Sequence, residues 1–338
     1  MMATRSLTWG ILGCARITRR GLIPGIAAST SGSLVALASR DVATARAWAE
    51  EFGIPKAYGS YQKLLDDPTV QAVYVPFPNE LHKPWVLAAA DAGKQVLCEK
   101  PLALNAGEAG EMVAHCRNRG VLLMEAFMWR HQTRSLELLK LVQTGAIGEL
   151  RLIRSSFSYP IAPGDWRLDS ARGGGALFDV GCYGVNTARL FAASEPVSAS
   201  AMAPQGDAGV DLSLTAQLEF PGGVLATIDC SFEQPFRCSY ELVGSRGVID
   251  VPDAYLPPSA SKPIARLRTI GSGSDSSSSG DQLGSLEFEA VNQYAAMVDT
   301  FAQSVATGRL VAPAEDGLAQ MKVLDRMIAA IGSTTLNR

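Results

Sequence analysis

Short, nearly all-apolar runs recur along the first third of the chain, at Leu7–Leu12, Leu34–Ala38, Ala72–Val75, Gln95–Cys98 and Val121–Met124. Between them lie stretches with the spacing of amphipathic helices: Val42–Phe52, Tyr61–Leu65, Glu80–Ala92 and Ala106–Arg119. Gly53, Gly93 and Gly120 follow three of these, where helices commonly end. Strands without polar alternation are buried on both faces. Their alternation with helices predicts a doubly wound parallel sheet.

Beyond Trp129 the pattern changes. Gln132–Gln143 reads as a helix stopped at Gly145, Glu149–Tyr159 alternates with period two, and Gly173–Phe191 is again helical. Strand patterns follow at Val197–Ala203, Ser213–Phe220, Val224–Phe232 and Phe236–Val243, with Pro221-Gly222-Gly223 as a turn between two of them. Consecutive strands joined by short turns predict an antiparallel sheet. Gly271–Gly280, almost entirely Gly, Ser and Asp, reads as a mobile surface loop. Helices near Ala290–Thr307 and Ala314–Ile331 complete the pattern. The expected organisation is an α/β Rossmann domain over residues 1–127 and an α+β domain with a large, mainly antiparallel open sheet over residues 128–338.

Composition narrows the function classes. A chain of 338 residues suits two cores, and 47% hydrophobic with 19% charged residues fits packed globular domains. A net charge of -3 and scattered Lys and Arg leave no footprint for nucleic acid or an anionic membrane. No apolar run reaches the roughly 18 residues of a membrane span, and Met1–Thr8 lacks the apolar stretch of a signal peptide. A cytoplasmic protein is therefore expected. Cys14, Cys98, Cys116, Cys182, Cys230 and Cys238 form no CxxC pair and read as reduced, buried thiols. His82, His115 and His131 lack metal-ligand spacing, so no metal is expected.

The first apolar run enters Gly13-Cys14-Ala15-Arg16-Ile17-Thr18. Of the three glycines of a dinucleotide fingerprint only Gly13 is present; Ala15 and Thr18 stand in the other places. Small residues there still let a pyrophosphate approach the backbone N–H groups of a helix start, although an ordinary strand–helix turn reads the same way. At the end of the second run, Ser39-Arg40 replaces the carboxylate that would hold the ribose 2′-OH of NAD. A hydroxyl and a guanidinium suit a 2′-phosphate, which predicts NADP in preference to NAD. The alternative is a solvated Arg40 ahead of Asp41 capping the next helix. Pro76-Phe77-Pro78, followed by Asn79 and His82, would wall the nicotinamide end.

Several motifs in order carry a resemblance that spans nearly the whole chain. They are Glu99-Lys100-Pro101, Pro78-Asn79 with His82, Glu125-Ala126-Phe127-Met128-Trp129-Arg130, and Gly173-Gly174-Gly175 leading to Asp179 and Tyr183. This set resembles the glucose–fructose oxidoreductase/inositol dehydrogenase/MocA (Gfo/Idh/MocA) family. Tyr183, where many members carry histidine, resembles the branch with dimeric dihydrodiol dehydrogenase and NADP-dependent xylose dehydrogenase. The resemblance implies Lys100, Tyr183 and Asp179 as catalytic residues. It also implies cofactor contacts from Glu99, Lys100, Trp166 and Arg167, a cis Lys100–Pro101 bond, and a homodimer or dimer of dimers built by face-to-face packing of the open sheets.

The chemistry agrees with those roles. Hydride removal from an alcohol needs a proton acceptor at the hydroxyl, and an amine beside a cationic ring yields its proton readily. Asp179 and Tyr183, four apart, share one helix face. The expected activity is NADP-dependent hydride transfer at a sugar or polyol carbon, foremost aldose C1 oxidation to a lactone or the related keto-sugar reduction. A trans-dihydrodiol dehydrogenase and a non-catalytic NADP-binding regulator are the alternatives.

Overall fold

The computed structural model describes residues 6–204, 209–257, 261–270 and 282–334; the Gly271–Gly280 loop predicted above lies outside them, as do Met1–Arg5. The chain divides into two compact units. One comprises Met1–His131, Ala171–Gly173 and Asn292–Lys322; the other comprises Gln132–Ser170, Gly174–Val291 and Val323–Arg338.

Strands β1 (Leu7–Leu12), β2 (Gly32–Ala38), β3 (Lys56–Tyr58), β4 (Ala72–Val75), β5 (Gln95–Cys98) and β6 (Leu123–Glu125) form the sheet of the first unit. They run parallel in the order β3-β2-β1-β4-β5-β6. The apolar runs are its buried centre: every residue of β4 is inaccessible, as are Trp9, Ile11 and Leu12 of β1. β3 has no apolar run and was not foreseen. It is three half-buried residues on the sheet edge. Asp67 anchors it, accepting from Lys56 Nζ at 2.8 Å and Tyr58 Oη at 2.9 Å.

Helices α1 (Ile23–Ala28), α2 (Val42–Phe52), α3 (Tyr61–Leu65), α4 (His82–Asp91) and α5 (Ala106–Asn118) make the connections. α2, α3 and α5 start under side-chain caps from Asp41, Ser60 and Asn105. The chain is helical from Arg16 through α1, wound as a π turn over Thr18–Leu22.

The second unit opens with α6 (Thr133–Gln143) and β7 (Leu150–Ser158) and continues through α7 (Cys182–Ala192). Strands β8 (Ser198–Met202), β9 (Ser213–Glu219), β10 (Leu225–Ser231), β11 (Arg237–Gly244), β12 (Gly247–Val251), β13 (Ile264–Thr269) and β14 (Gln282–Glu287) follow. The sheet order is β14-β13-β12-β11-β7-β10-β9-β8, antiparallel throughout except for the β7–β10 pair. Strict alternation of burial along β9 marks one covered and one open face. Arg134 of α6 is buried and donates to the carbonyls of Pro252, Asp253, Ala254 and Ile264, which fixes the β12–β13 connection.

The last helices are α8 (Gln293–Thr307) and α9 (Ala314–Thr334). α8 belongs to the first unit. Its Tyr294 fills the space beside Gly21 and Gly25, its Phe301 ring lies 5.3 Å from that of Trp9, and its Asp299 accepts from Ser29 Oγ at 2.5 Å and from the Ser31 N–H at 3.0 Å. Among the described residues no helix is long and apolar enough to cross a membrane.

Candidate active site

The chain leaves β1 toward β2 on one side, while β4 lies on the other. Their carboxyl ends therefore frame the crevice where open α/β sheets take ligands. Gly13 ends β1 with φ +113°, and its N–H donates to the Ala38 carbonyl at 2.9 Å. A Cβ at this position would stand 3.1 Å from Phe77 Cε1, so only glycine keeps the turn open to a ligand. Cys14 and Ala15 follow half-buried, Arg16 opens the helix in an exposed position, and Ile17 is half-buried. Burial pushes the Cys14 thiol up to about 11 despite its hydrogen bond with Ser39, so it is a packing group, not a nucleophile.

At the end of β2, Ser39 is half-buried and Arg40 exposed. Asp41 accepts from the N–H groups of Ala43 at 3.1 Å and Thr44 at 3.0 Å. The carboxylate nearest to Arg40 is thus committed to the α2 cap, and the position that would face a ribose 2′-oxygen carries cationic and hydroxyl groups. An open glycine turn at a helix start, with Ser39-Arg40 beside it, fits a 2′-phosphorylated dinucleotide.

The β4 loop is stiff. Pro76 is buried, Phe77 and Pro78 half-buried, and the Phe77 ring packs 4.9 Å from Tyr61 and 6.0 Å from Trp85. Asn79 is buried and donates to the Gly173 carbonyl at 2.7 Å. His82, expected beside the cofactor, is completely buried, with its ring nitrogens 2.9 Å from the Phe77 carbonyl and 3.0 Å from the Pro101 carbonyl. Burial lowers its pKa while the two carbonyls oppose that shift. The neutral imidazole therefore sits between the backbones of two loops and donates its one N–H to one of the two carbonyls. The second of these loops carries Glu99 and Lys100, both half-buried, and the Lys100–Pro101 bond is cis. Glu99 accepts from the Tyr74 phenol and from the Lys100 N–H, and Glu125 accepts from the Leu102 N–H at 2.8 Å.

In the second unit the helix predicted from Gly173 begins only at Ala176. Gly175 has φ +117°, and a Cβ on it would lie 2.3 Å from Asp211 Oδ1. Asp211 caps the helix from outside: its Oδ2 accepts from the Leu177 N–H at 2.6 Å and its carbonyl from the Ala176 N–H at 2.8 Å. Leu177–Gly181 then winds as a π turn before α7, an irregularity frequent at functional sites. It carries Asp179, whose oxygens face Arg167 Nε at 2.9 Å and Tyr159 Oη at 2.6 Å. Burial works against the Arg167 cation, but the Asp179 carboxylate outweighs it and holds the guanidinium firmly charged. Trp166 and Arg167 are half-buried, with the guanidinium 4.7 Å from the indole centroid. Tyr183 is buried, its ring 5.4 Å from Phe157 and 4.8 Å from Tyr255. Tyr255 is locked in turn by 2.8 Å hydrogen bonds with Ser155 and Thr187.

Sequence reasoning missed Tyr159, Asp211 and Tyr255. One signal was available: Tyr159, directly after the end of β7, stands two residues from Phe157 and closes the period-two run Glu149–Tyr159. Asp211 and Tyr255 lie in loops with no local pattern.

A parallel doubly wound sheet with an open glycine turn, joined in one chain to an open, mainly antiparallel sheet under a substrate-type helix, defines a two-domain nicotinamide oxidoreductase. Comparison agrees. Residues 7–127 match the oxidoreductase family with an NAD-binding Rossmann fold, and residues 135–250 match the GFO/IDH/MocA C-terminal domain. The chain belongs to the Gfo/Idh/MocA family. It is 36% identical over 323 residues to D-xylose 1-dehydrogenase (NADP(+)) 2 of Haloferax volcanii, covering 94% of this chain and 95% of that protein. It is 37% identical over 256 residues to trans-1,2-dihydrobenzene-1,2-diol dehydrogenase of Mus musculus, covering 75% and 76%. Among solved structures, a 3-ketoreductase from Actinomadura kijaniata in complex with NADP and TDP-benzene superimposes with a TM-score of 0.86 at 33% identity, over 96% of this chain and 98% of that one.

Proposed function

We propose that this protein is an NADP-dependent dehydrogenase or reductase acting on a CH–OH carbon of a sugar or polyol, with oxidation of an aldose at C1 to a lactone as the leading case. The observation that carries the reading is the second unit's helix start. There a clamped phenol, Tyr183, follows a carboxylate held by Arg167 and Tyr159. Such fixed polar groups suit adjacent hydroxyls. NADP(+) named with the xylose relative and NADP bound in the 3-ketoreductase complex support the cofactor, in line with Ser39-Arg40.

NADP, when bound, accepts or supplies the hydride. The chain's part is to hold and move the hydroxyl proton. In this reading Lys100 and Tyr183 do that, Asp179 orients a neighbouring hydroxyl, and Glu99 holds the lysine loop. Gly13–Ile17, Ser39, Arg40, Pro76–Asn79, Trp166 and Arg167 bind the cofactor. His82 contributes by filling the space between the Phe77 and Pro101 backbones. A cytoplasmic homodimer, or a dimer of dimers, completes the proposal.

The aromatic cluster of Phe157, Tyr183 and Tyr255, with Phe236 6.4 Å from Phe157, favours one second reading, a trans-dihydrodiol dehydrogenase with a flatter, less polar substrate. Xylose, glucose and a cyclic diene diol, each offered with NADP and with NAD and followed at 340 nm, separate the two. Xylose or glucose turnover with NADP is expected. Turnover of the diol alone selects the second reading, and no turnover with any of them overturns the first.

A further inference from the structure

We infer that Phe236 is a substrate-specificity residue whose exposed ring receives the C–H face of a pyranose while Tyr183 and Asp179 take its hydroxyls. The inference rests on the sugar reading above and extends it to a residue outside every motif.

Phe236 lies in the connection from β10 to β11. β7 stands between these two strands, parallel to the first and antiparallel to the second, so the connection crosses the carboxyl end of β7. Ser158, the last residue of β7 and completely buried, pins it there. Its hydroxyl donates to the Pro235 carbonyl at 2.7 Å and accepts from Arg237 Nε at 3.0 Å. The Arg237 guanidinium also donates to Gln234 Oε1 at 2.6 Å and to the Asp229 carboxylate. The residues on both sides of Phe236 are thus held before any ligand arrives.

The Phe236 ring stands edge-on to Phe157, with 6.4 Å between centroids at 87°. Phe157 meets Tyr183 in the same edge-on manner, at 5.4 Å and 65°, so one ring carries both. Phe157 and Tyr183 are each 6% exposed, whereas Phe236 is 54% exposed. A single exposed apolar side chain is ordinary on a protein surface. This one differs in two respects: its neighbours are locked, and it is joined ring to ring with the phenol assigned to proton handling.

Pyranose chemistry matches the arrangement. The hydroxyls project around the rim of the sugar and C–H bonds cover its faces, so its site needs a flat apolar wall as well as a few placed polar groups. Tyr183 and Asp179, the latter held by Arg167 and Tyr159, supply the polar part. The Phe236 ring supplies the wall, with about half of its surface still in water for a ligand to cover. An aromatic ring turns about only two bonds, so little entropy is lost when it is covered. An open-chain polyol offers no face of this kind.

The test uses the full chain, NADP and whichever of xylose and glucose the parent turns over. Phe236→Ala removes the wall at an exposed position. It is expected to raise KM for the sugar about 10-fold, the scale of leaving half a ring uncovered, with kcat within about twofold and NADP affinity by calorimetric titration unchanged. Phe236→Tyr keeps the ring and should hold KM within about threefold. An unchanged KM in Phe236→Ala, or an equal loss in Phe236→Tyr, overturns the inference and leaves the sugar reading standing. So does a fall in kcat at constant KM, which makes the ring a support for Tyr183, and so does a loss of NADP affinity. A KM rise that follows a change of oligomeric state in analytical ultracentrifugation places Phe236 in a subunit contact and also overturns it. Turnover of the diol alone, or of no substrate, removes the sugar reading and the inference with it.

Discussion

The loops at the carboxyl edge of the parallel sheet and the helix start above the antiparallel sheet are held in place by different physics. In the first unit the ties run from side chains to backbone: His82 between the Phe77 and Pro101 carbonyls, Asn79 to the Gly173 carbonyl, Glu125 to the Leu102 N–H. They fix the path of the chain. In the second unit side chains hold one another, as Arg167, Asp179 and Tyr159 do, with the Asp211 cap as a tie of the first unit's kind at this helix start. A backbone-defined site suits a partner that never changes, such as a dinucleotide. A side-chain-defined site is changed by single substitutions, as expected where substrates differ among relatives.

The sharpest test is the chemistry expected of each unit. Lys100→Ala and Tyr183→Phe should each lower kcat by about 10²–10⁴, while NADP affinity measured by fluorescence titration stays within a few-fold of the parent. If either variant keeps near-parental turnover, the proton is handled elsewhere, and that unit is scaffold.

Asp211 tests the backbone tie at the second unit's helix start through pH. Burial raises its carboxyl from 3.8 to about 6, against the lowering effect of the Leu177 N–H. The folded state therefore binds this proton more tightly than the unfolded chain does. Its stabilising effect is complete below about pH 4 and is lost as pH rises through 6. An amide in its place carries no such dependence. The stability of the parent relative to Asp211→Asn should fall by about 2.4 kcal/mol between pH 4 and 7, most steeply between the two pKa values. Urea unfolding across that range reads it. Parallel curves for the two proteins would mean that Asp211 is solvated and does not sit as a buried cap.

The same contrast governs what could be read before any coordinates. Apolar runs and glycine stops placed β1, β4, β5, α2 and α3 to the residue, because strands buried on both faces leave an unambiguous pattern. β3 was invisible because Lys56 and Tyr58 are held by Asp67 and not by burial. β12, β13 and β14 were also missed. β12 alternates over only five residues, and β14 begins beside the Gly/Ser-rich segment. The return of α8 to the first unit depends on Tyr294 meeting Gly21 and Gly25, a contact across most of the chain that no local period encodes. Among the candidate site residues, Gly13, Ser39 and Arg40 were read from fold position and Lys100 from the Glu99-Lys100-Pro101 resemblance. Asp211 meets the helix start from a distant point in the sequence and had no local signal.

The smallest predicted effect bears most directly on whether the second unit is held by charge. The Arg167 and Asp179 side chains are 24% and 12% exposed, too covered for a purely solvated pair and too open for a fully buried one. Arg167→Met leaves Asp179 hydrogen-bonded to Tyr159, and Asp179→Asn leaves the guanidinium with Asp165 at 3.2 Å. A double-mutant cycle in urea should give a coupling of about 1–2 kcal/mol, between the exposed-pair and buried-pair limits. The Asp179 variants should also raise KM for the sugar while leaving NADP binding unchanged. A coupling near zero would make the pair ornamental. The helix start would then owe its shape to Gly175 and the Asp211 cap, both of them backbone devices, and the two units would be built on one principle.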